Sequence, residues 1–168
     1  MPPSPFVIQW VPIVARTALP GARALDLAMG EGRHVGTLVR AGYKVFGVDR
    51  SFDAVRRAQS AAAGTLRAWC ADLASYPLPS RRFDLVLVTR YLDRSWFARL
   101  RETVAPGGVV MYETFTIRQR ARGWGPTSPN HLLEPGELRG YFEGFEILHW
   151  AEHDEPEAVA SIAARRPV

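Results

Sequence analysis

One cysteine, Cys70, and one lysine, Lys44, stand in a chain of 168 residues. A single thiol excludes a disulfide framework and every multi-cysteine zinc site. Cys70 falls inside an apolar strand pattern, so an inert core thiol is expected there. The four histidines show no ligand spacing, and no metal is expected. No run approaches the 18 apolar residues of a membrane-spanning helix. The opening MPPSPFVIQW lacks the basic start and long apolar core of a secretory signal. A cytoplasmic protein without a membrane partner is the expectation.

What is present is enough apolar sequence for one compact domain, with 47% hydrophobic and 23% charged residues. A chain of this size buries roughly 70% of its unfolded surface and needs no cross-links to fold. One domain over 1–168 is expected. The net charge is +4, and because only one of the 21 basic residues is lysine, it is carried by arginine. Such one-sided usage reflects genome composition as readily as a nucleic-acid surface.

Short apolar, β-rich runs alternate with helix-like stretches. Strands are expected over 22–28, 44–49, 65–70, 83–89 and 109–113. Helices are expected over 34–40, from a Ser51 cap to about Gln59 with Phe52, Val55 and Ala58 on one face, and over 94–103. This alternation reads as an α/β Rossmann-like three-layer sandwich. Its mostly parallel seven-stranded sheet ends in a C-terminal antiparallel hairpin, 145–150 and 158–164, joined by the acidic turn HDEPE. Residues 1–20 form an N-terminal segment in which Phe6, Trp10 and Val14 suit a lid over a ligand mouth or packing on the sheet. Residues 116–135 form a long, arginine-containing connection, of a length that inside a compact domain usually marks function or disorder.

The strand ends hold the chemistry. Asp26 lies at the end of the first strand, before a turn with Gly30 and Gly32. Asp49 ends the second strand and Asp72 the third. In open α/β sheets these carboxyl ends face the ligand crevice. The glycines permit close backbone approach, and an acid at the second strand suits the paired hydroxyls of a ribose. The run Gly30-Glu31-Gly32-Arg33-His34-Val35 lacks the third glycine of a dinucleotide fingerprint, which argues against a nicotinamide-dependent dehydrogenase. Asp26 and Glu31 would also repel a phosphate. A cationic ribose-containing ligand without phosphate fits better, and S-adenosylmethionine is one.

The succession LDLAMGEGRHV, VFGVDRS, ADL, FDLVLV and LRETVAPGGVVMYET resembles the class I S-adenosylmethionine-dependent methyltransferases over about residues 20–115. The tail NHLLEPGELRGYFEGFEIL and the final strand with its arginine pair are similar to the small tellurite-resistance (TehB-like) and thiopurine-type branch. The resemblance implies that Asp26, Ala28, Gly30 and Gly32 bound the methionine end of the cofactor. It implies that Asp49 holds the ribose with Arg50 beside it, and that Asp72 and Leu73 meet the adenine. Thr89 would lie near the sulfonium. Ala28 departs from the family's glycine and is tolerable if its φ is negative. Met29, in the usual Cys or Ser position, is read as neutral.

Substrate-side positions are Arg90, Tyr91, Arg118 and Trp124. If the acceptor must lose a proton, Tyr91 and Glu113 are the candidate bases, because each follows or ends a strand on this edge. A small-molecule acceptor is the leading expectation. An RNA or protein methyltransferase using the Arg118–Arg122 loop and a non-catalytic cofactor-binding protein are the alternatives. Nucleic acid is not favoured as a partner, and a monomer and a homodimer both remain open.

Overall fold

The computed structural model describes all 168 residues. Seven strands form one sheet: β1 (Arg23–Leu27), β2 (Lys44–Asp49), β3 (Leu66–Cys70), β4 (Phe83–Thr89), β5 (Val104–Phe115), β6 (Glu146–His153) and β7 (Val159–Arg165). Their order is β3-β2-β1-β4-β5-β7-β6. All pairings from β3 through β5 are parallel, and β7 runs antiparallel to both β5 and β6. The strand order therefore reverses between β1 and β4, which is where an open α/β sheet leaves its crevice.

Alternation along the strands divides the interior into two layers. On β4, Val86 and Val88 join a core with Trp96, Phe97, Leu100, Leu138 and Phe142. These come from α4 (Phe97–Thr103), the single turn before it, and α5 (Glu137–Gly140) with the residues after it. Leu85 and Leu87 face the opposite layer, built from α1 (Pro5–Ala15), α2 (Val35–Arg40) and α3 (Phe52–Ala61). The three-layer α/β sandwich with a C-terminal antiparallel hairpin is thus the observed fold.

Most boundaries fall within two residues of the sequence expectation, and the differences have local causes. Strand β5 begins at Val104 rather than 109, because Val104 pairs with Phe83 before a register shift. Gly108 lies in that irregular stretch, and a Cβ there would come within 2.9–3.1 Å of three backbone carbonyl oxygens. Phe52 is exposed, while Ala54, Val55 and Ala58 are the buried face of α3. The first helical turn projects Phe52 beyond the sheet. Ser51 caps α3 as expected, accepting the Ala54 N–H at 3.3 Å.

Cys70 is exposed, not a core thiol. It ends β3, which is an edge strand and leaves one side of its tip uncovered. Helix α1 buries Phe6, Val7, Val11 and Val14 against the sheet layer, and Trp10 meets the His149 ring at 4.7 Å. The 116–135 connection is less polar inside than its sequence suggests. Leu132 and Leu133 are fully buried, and buried Gln119 accepts the Ala158 N–H and donates to the Trp124 carbonyl. No helix is long and apolar enough to cross a membrane.

Candidate functional site

The carboxyl edge carries two cavities. The first, about 360 Å³, is lined by Ala28, Asp49, Arg50, Asp72, Leu73 and Tyr91 among others. With Arg90, this brings together seven of the positions expected at the cofactor and acceptor. The second, about 440 Å³, opens beneath Met1–Phe6 and includes Arg33, Glu113, His149 and Ser161. Arg90 is the one residue common to both linings. Both volumes lie at the small end of the ~300–1,000 Å³ usual for small-molecule sites.

Asp49 is half-buried at the tip of β2 and organises the turn opposite. Its Oδ2 accepts the Gly30 N–H at 2.8 Å, and its Oδ1 accepts the Ser51 N–H at 2.9 Å. Each oxygen makes one protein hydrogen bond, which leaves acceptor capacity on both for a vicinal diol. Asp72 is exposed, and its Oδ1 accepts the Ala74 N–H at 3.0 Å. Leu73 is buried beside it.

Asp26 is placed differently from the other two acids. It is the penultimate residue of β1, shares a strand face with Ala24, and is completely buried, lining neither cavity. Neither carboxylate oxygen has a hydrogen-bond partner. The ring nitrogen His34 Nδ1 lies 3.7 Å from Oδ2. His34 is itself buried, and its Nε2 accepts the Ser4 N–H at 3.3 Å. With Nε2 an acceptor, the neutral ring carries its proton on Nδ1, facing Asp26. The link that His34 makes between the β1 carboxylate and the N-terminal segment spans 30 residues of chain, and no local pattern signals it.

Gly30 and Gly32 both have positive φ, +55° and +73°. Gly32 serves packing as well: a Cβ there would approach the Val35 and Ala58 side chains to 3.0 and 3.1 Å. Met29 is not neutral, because its sulfur occupies the space over Gly47, only 2.1 Å from where a Cβ at that position would be. Ala28 has φ +53°, so the condition for easy tolerance is not met. Alanine in the left-handed region costs about 1–2 kcal/mol, and glycine there would lose roughly 0.5–1 kcal/mol to chain entropy. Ala28→Gly is therefore expected to gain about 0.5–1 kcal/mol, read as a rise of roughly 1–4 °C in Tm. An unchanged or lower Tm would show that the strain is relieved elsewhere.

Beyond β4, Thr89 is buried and accepts Arg33 Nη2 at 3.2 Å. Arg90 follows with φ +55°, and its Nη2 holds both Glu157 oxygens at 2.6 and 2.8 Å. Tyr91 packs on Trp96, and its carbonyl accepts the buried Tyr112 hydroxyl at 2.6 Å. Burial raises the Tyr91 hydroxyl above its ordinary value, and burial raises the Glu113 carboxyl while Arg33 and Arg90 oppose that rise. The two candidate bases face different cavities, Tyr91 the first and Glu113 the second.

Arg118 and Trp124 line neither cavity. Arg118 pairs with Asp154 at 2.8 Å, and Arg122 with Glu155 at 2.9 Å and the Asp154 and Pro156 carbonyls. The basic loop is thus matched to the acidic hairpin turn, while Trp124 stands edge-on to Phe115. Among the residues missed from sequence, Arg33 stands in the glycine-turn motif itself, while Thr114, Phe115, Pro126, His131 and Glu157 carry no motif and reach the cavities through the fold.

A family described as a methyltransferase domain matches residues 24–108, half of the chain. Among solved structures, an S-adenosylmethionine-dependent methyltransferase from Mesorhizobium loti superposes with a TM-score of 0.71 at 20% identity, over 95% of this chain and 98% of that one. One from Methanosarcina mazei gives 0.73 at 18% identity over 100% of both chains. TehB from Haemophilus influenzae gives 0.72 at 19% identity, over 92% of this chain and 61% of that one. At such identities the likeness is one of fold. No curated protein matches the sequence. With the family matched across β1 to β5 and the acid-tipped carboxyl edge in place, the chain belongs to the class I S-adenosylmethionine-dependent methyltransferases.

Proposed function

We propose that residues 1–168 act as one domain that methylates a small-molecule acceptor in the cytoplasm. The observation that carries this reading is the pair of cavities meeting at Arg90 on the carboxyl edge, one bearing Asp49 and Asp72 and the other covered by the N-terminal segment. The residues fit the cofactor. Asp49 retains acceptor capacity for ribose hydroxyls, Ala71 and Leu73 offer apolar contact to an adenine beside Asp72, and the buried Asp26 carboxyl, without a hydrogen-bond partner, stands near the end of β1 ahead of the glycine turn. When bound, S-adenosylmethionine supplies a methyl group on a sulfonium whose departure leaves a neutral thioether.

The protein's own contribution is placement. Orientation of two reactants supplies about 7–11 kcal/mol in well-aligned systems. Positive-φ Arg90 separates the cavities, so an acceptor in the second reaches the first past this residue. Glu113, raised by burial, is the group able to take a proton from an acceptor in the second cavity. Tyr91 lines the wall of the first cavity against Trp96. The pairing of Arg118 and Arg122 with the hairpin turn leaves Arg120 as the one arginine of this loop without an ion pair, which favours the small-molecule reading over RNA.

The test is formation of S-adenosylhomocysteine from S-adenosylmethionine with a panel of small thiols, amines and hydroxy acids, run alongside calorimetric titration of the cofactor. Saturable binding with turnover on at least one acceptor is expected. Binding without turnover on any of them would favour a non-catalytic protein, and no binding would reject the assignment of the site.

A further inference from the structure

We propose that the second cavity holds the acceptor through a carboxylate, or an equivalent oxyanion, clamped between Arg33 and Arg90. This deepens the small-molecule reading above and rests on it. Arg33 Nη1 and Arg90 Nη1 converge on one atom, the Met1 sulfur, at 3.1 and 3.3 Å. A thioether is a weak acceptor, whereas two guanidiniums are matched to an anionic oxygen. Met1 is 84% exposed, so a ligand displaces it at little cost.

The Nη2 of each arginine is already occupied. Arg90 Nη2 is held by Glu157 and Arg33 Nη2 by Thr89, which fixes both planes and leaves the two Nη1 groups facing each other's space. Arg33 is half-buried and makes no direct ion pair; burial and Arg90 lower its basicity, while Glu113, Asp26 and Glu157 oppose that. Its Nη1 is turned to the Met1 sulfur and, at 3.5 Å, the Pro2 carbonyl on the cavity wall. Ser4 lines the same cavity with a buried hydroxyl that lies beside the Glu113 carboxyl and opposes the rise burial gives it. Glu113 lies alongside, raised by burial, so it opposes an incoming anion less than an ordinary carboxylate does. Asp49, Asp72 and Leu73 all belong to the first cavity, so the clamp lies apart from the ribose and adenine positions.

The arginine Nε–Hε signals of ¹⁵N-labelled protein, saturated with S-adenosylhomocysteine, are followed during titration with benzoate and with its neutral counterpart benzamide. Benzoate is expected to shift the Arg33 and Arg90 signals saturably, with an apparent Kd of about 1 mM for so small a probe, and benzamide to shift neither. Arg33→Gln should weaken benzoate at least tenfold while Arg33→Lys retains part of the response, with S-adenosylhomocysteine affinity unchanged in both. If S-adenosylhomocysteine alone shifts both arginines and abolishes the benzoate response, the clamp belongs to the cofactor's own carboxylate and the acceptor proposal is overturned. Benzoate and benzamide behaving alike also overturns it, leaving the methyltransferase reading intact. Failure of S-adenosylhomocysteine to bind at all removes both.

Discussion

Asp49→Ala is expected to weaken S-adenosylhomocysteine binding by roughly 30- to 1,000-fold, about 2–4 kcal/mol. Two effects add. Hydrogen bonds to a charged acceptor are worth about 1.5–3 kcal/mol each, and a ribose offers two hydroxyls to one carboxylate. The same carboxylate also accepts the Gly30 and Ser51 N–H groups, so its removal frees the turn after β1 and the cap of α3 together. Asp49→Asn separates the contributions, since its single carbonyl oxygen replaces only one acceptor. An intermediate affinity is expected for it. Calorimetry on the three proteins gives the result directly. If Asp49→Ala binds as tightly as the unmodified protein, the ribose is not held at β2 and the site assignment fails.

The second large effect concerns Asp26, where stability and function are expected to move in opposite directions. A buried carboxylate without hydrogen bonds costs several kcal/mol even after relaxation, and here His34 Nδ1 at 3.7 Å and the more distant Arg33 guanidinium are what oppose it. Asp26→Asn removes the charge and keeps the shape. The amide left behind has its own unmet hydrogen bonds, at about 1–3 kcal/mol. The balance is a net gain of about 1–2 kcal/mol, or roughly 2–8 °C in Tm for a chain of this length. Binding of S-adenosylmethionine should fall by about tenfold or more, because a fixed negative charge near a cationic ligand in a poorly screened place is lost. Thermal unfolding and titration of the same sample test both halves. A lower Tm in Asp26→Asn would mean that the His34 contact compensates the charge, and an unchanged affinity would mean that the cofactor does not feel it. Such a trade of stability for function is common at binding sites.

The two acids illustrate how far local reading reaches. Both end β-rich runs, and both were expected to face the crevice. Asp49 does so, since it is the last residue of β2 and has nothing above it. Asp26 precedes the last residue of β1, and the alternation that exposes Leu25 and Leu27 to one layer turns Asp26 into the other, under α2. A shift of one residue in a strand end exchanges the faces, and strand ends are where local signals are weakest. Ala28 shows the same limit in backbone terms: its identity is read from the chain, but its φ of +53° follows from the turn that carries the chain from β1 to α2.

Periodicity and punctuation determined the alternating α/β order, the strand positions, the Ser51 cap and the antiparallel hairpin, because each depends on side chains within a few residues of one another. The acids and glycines of the first three strand ends were legible for the same reason. Tertiary structure alone decided which residues share a cavity. Arg33 and Arg90 are 57 positions apart in sequence yet converge on one sulfur, and Arg118 and Arg122 reach the hairpin turn more than 30 residues away. The physical reason is that a guanidinium's partner is set by where the sheet order β1-β4-β5-β7 brings distant strand ends together, and neighbours along the chain carry no record of it.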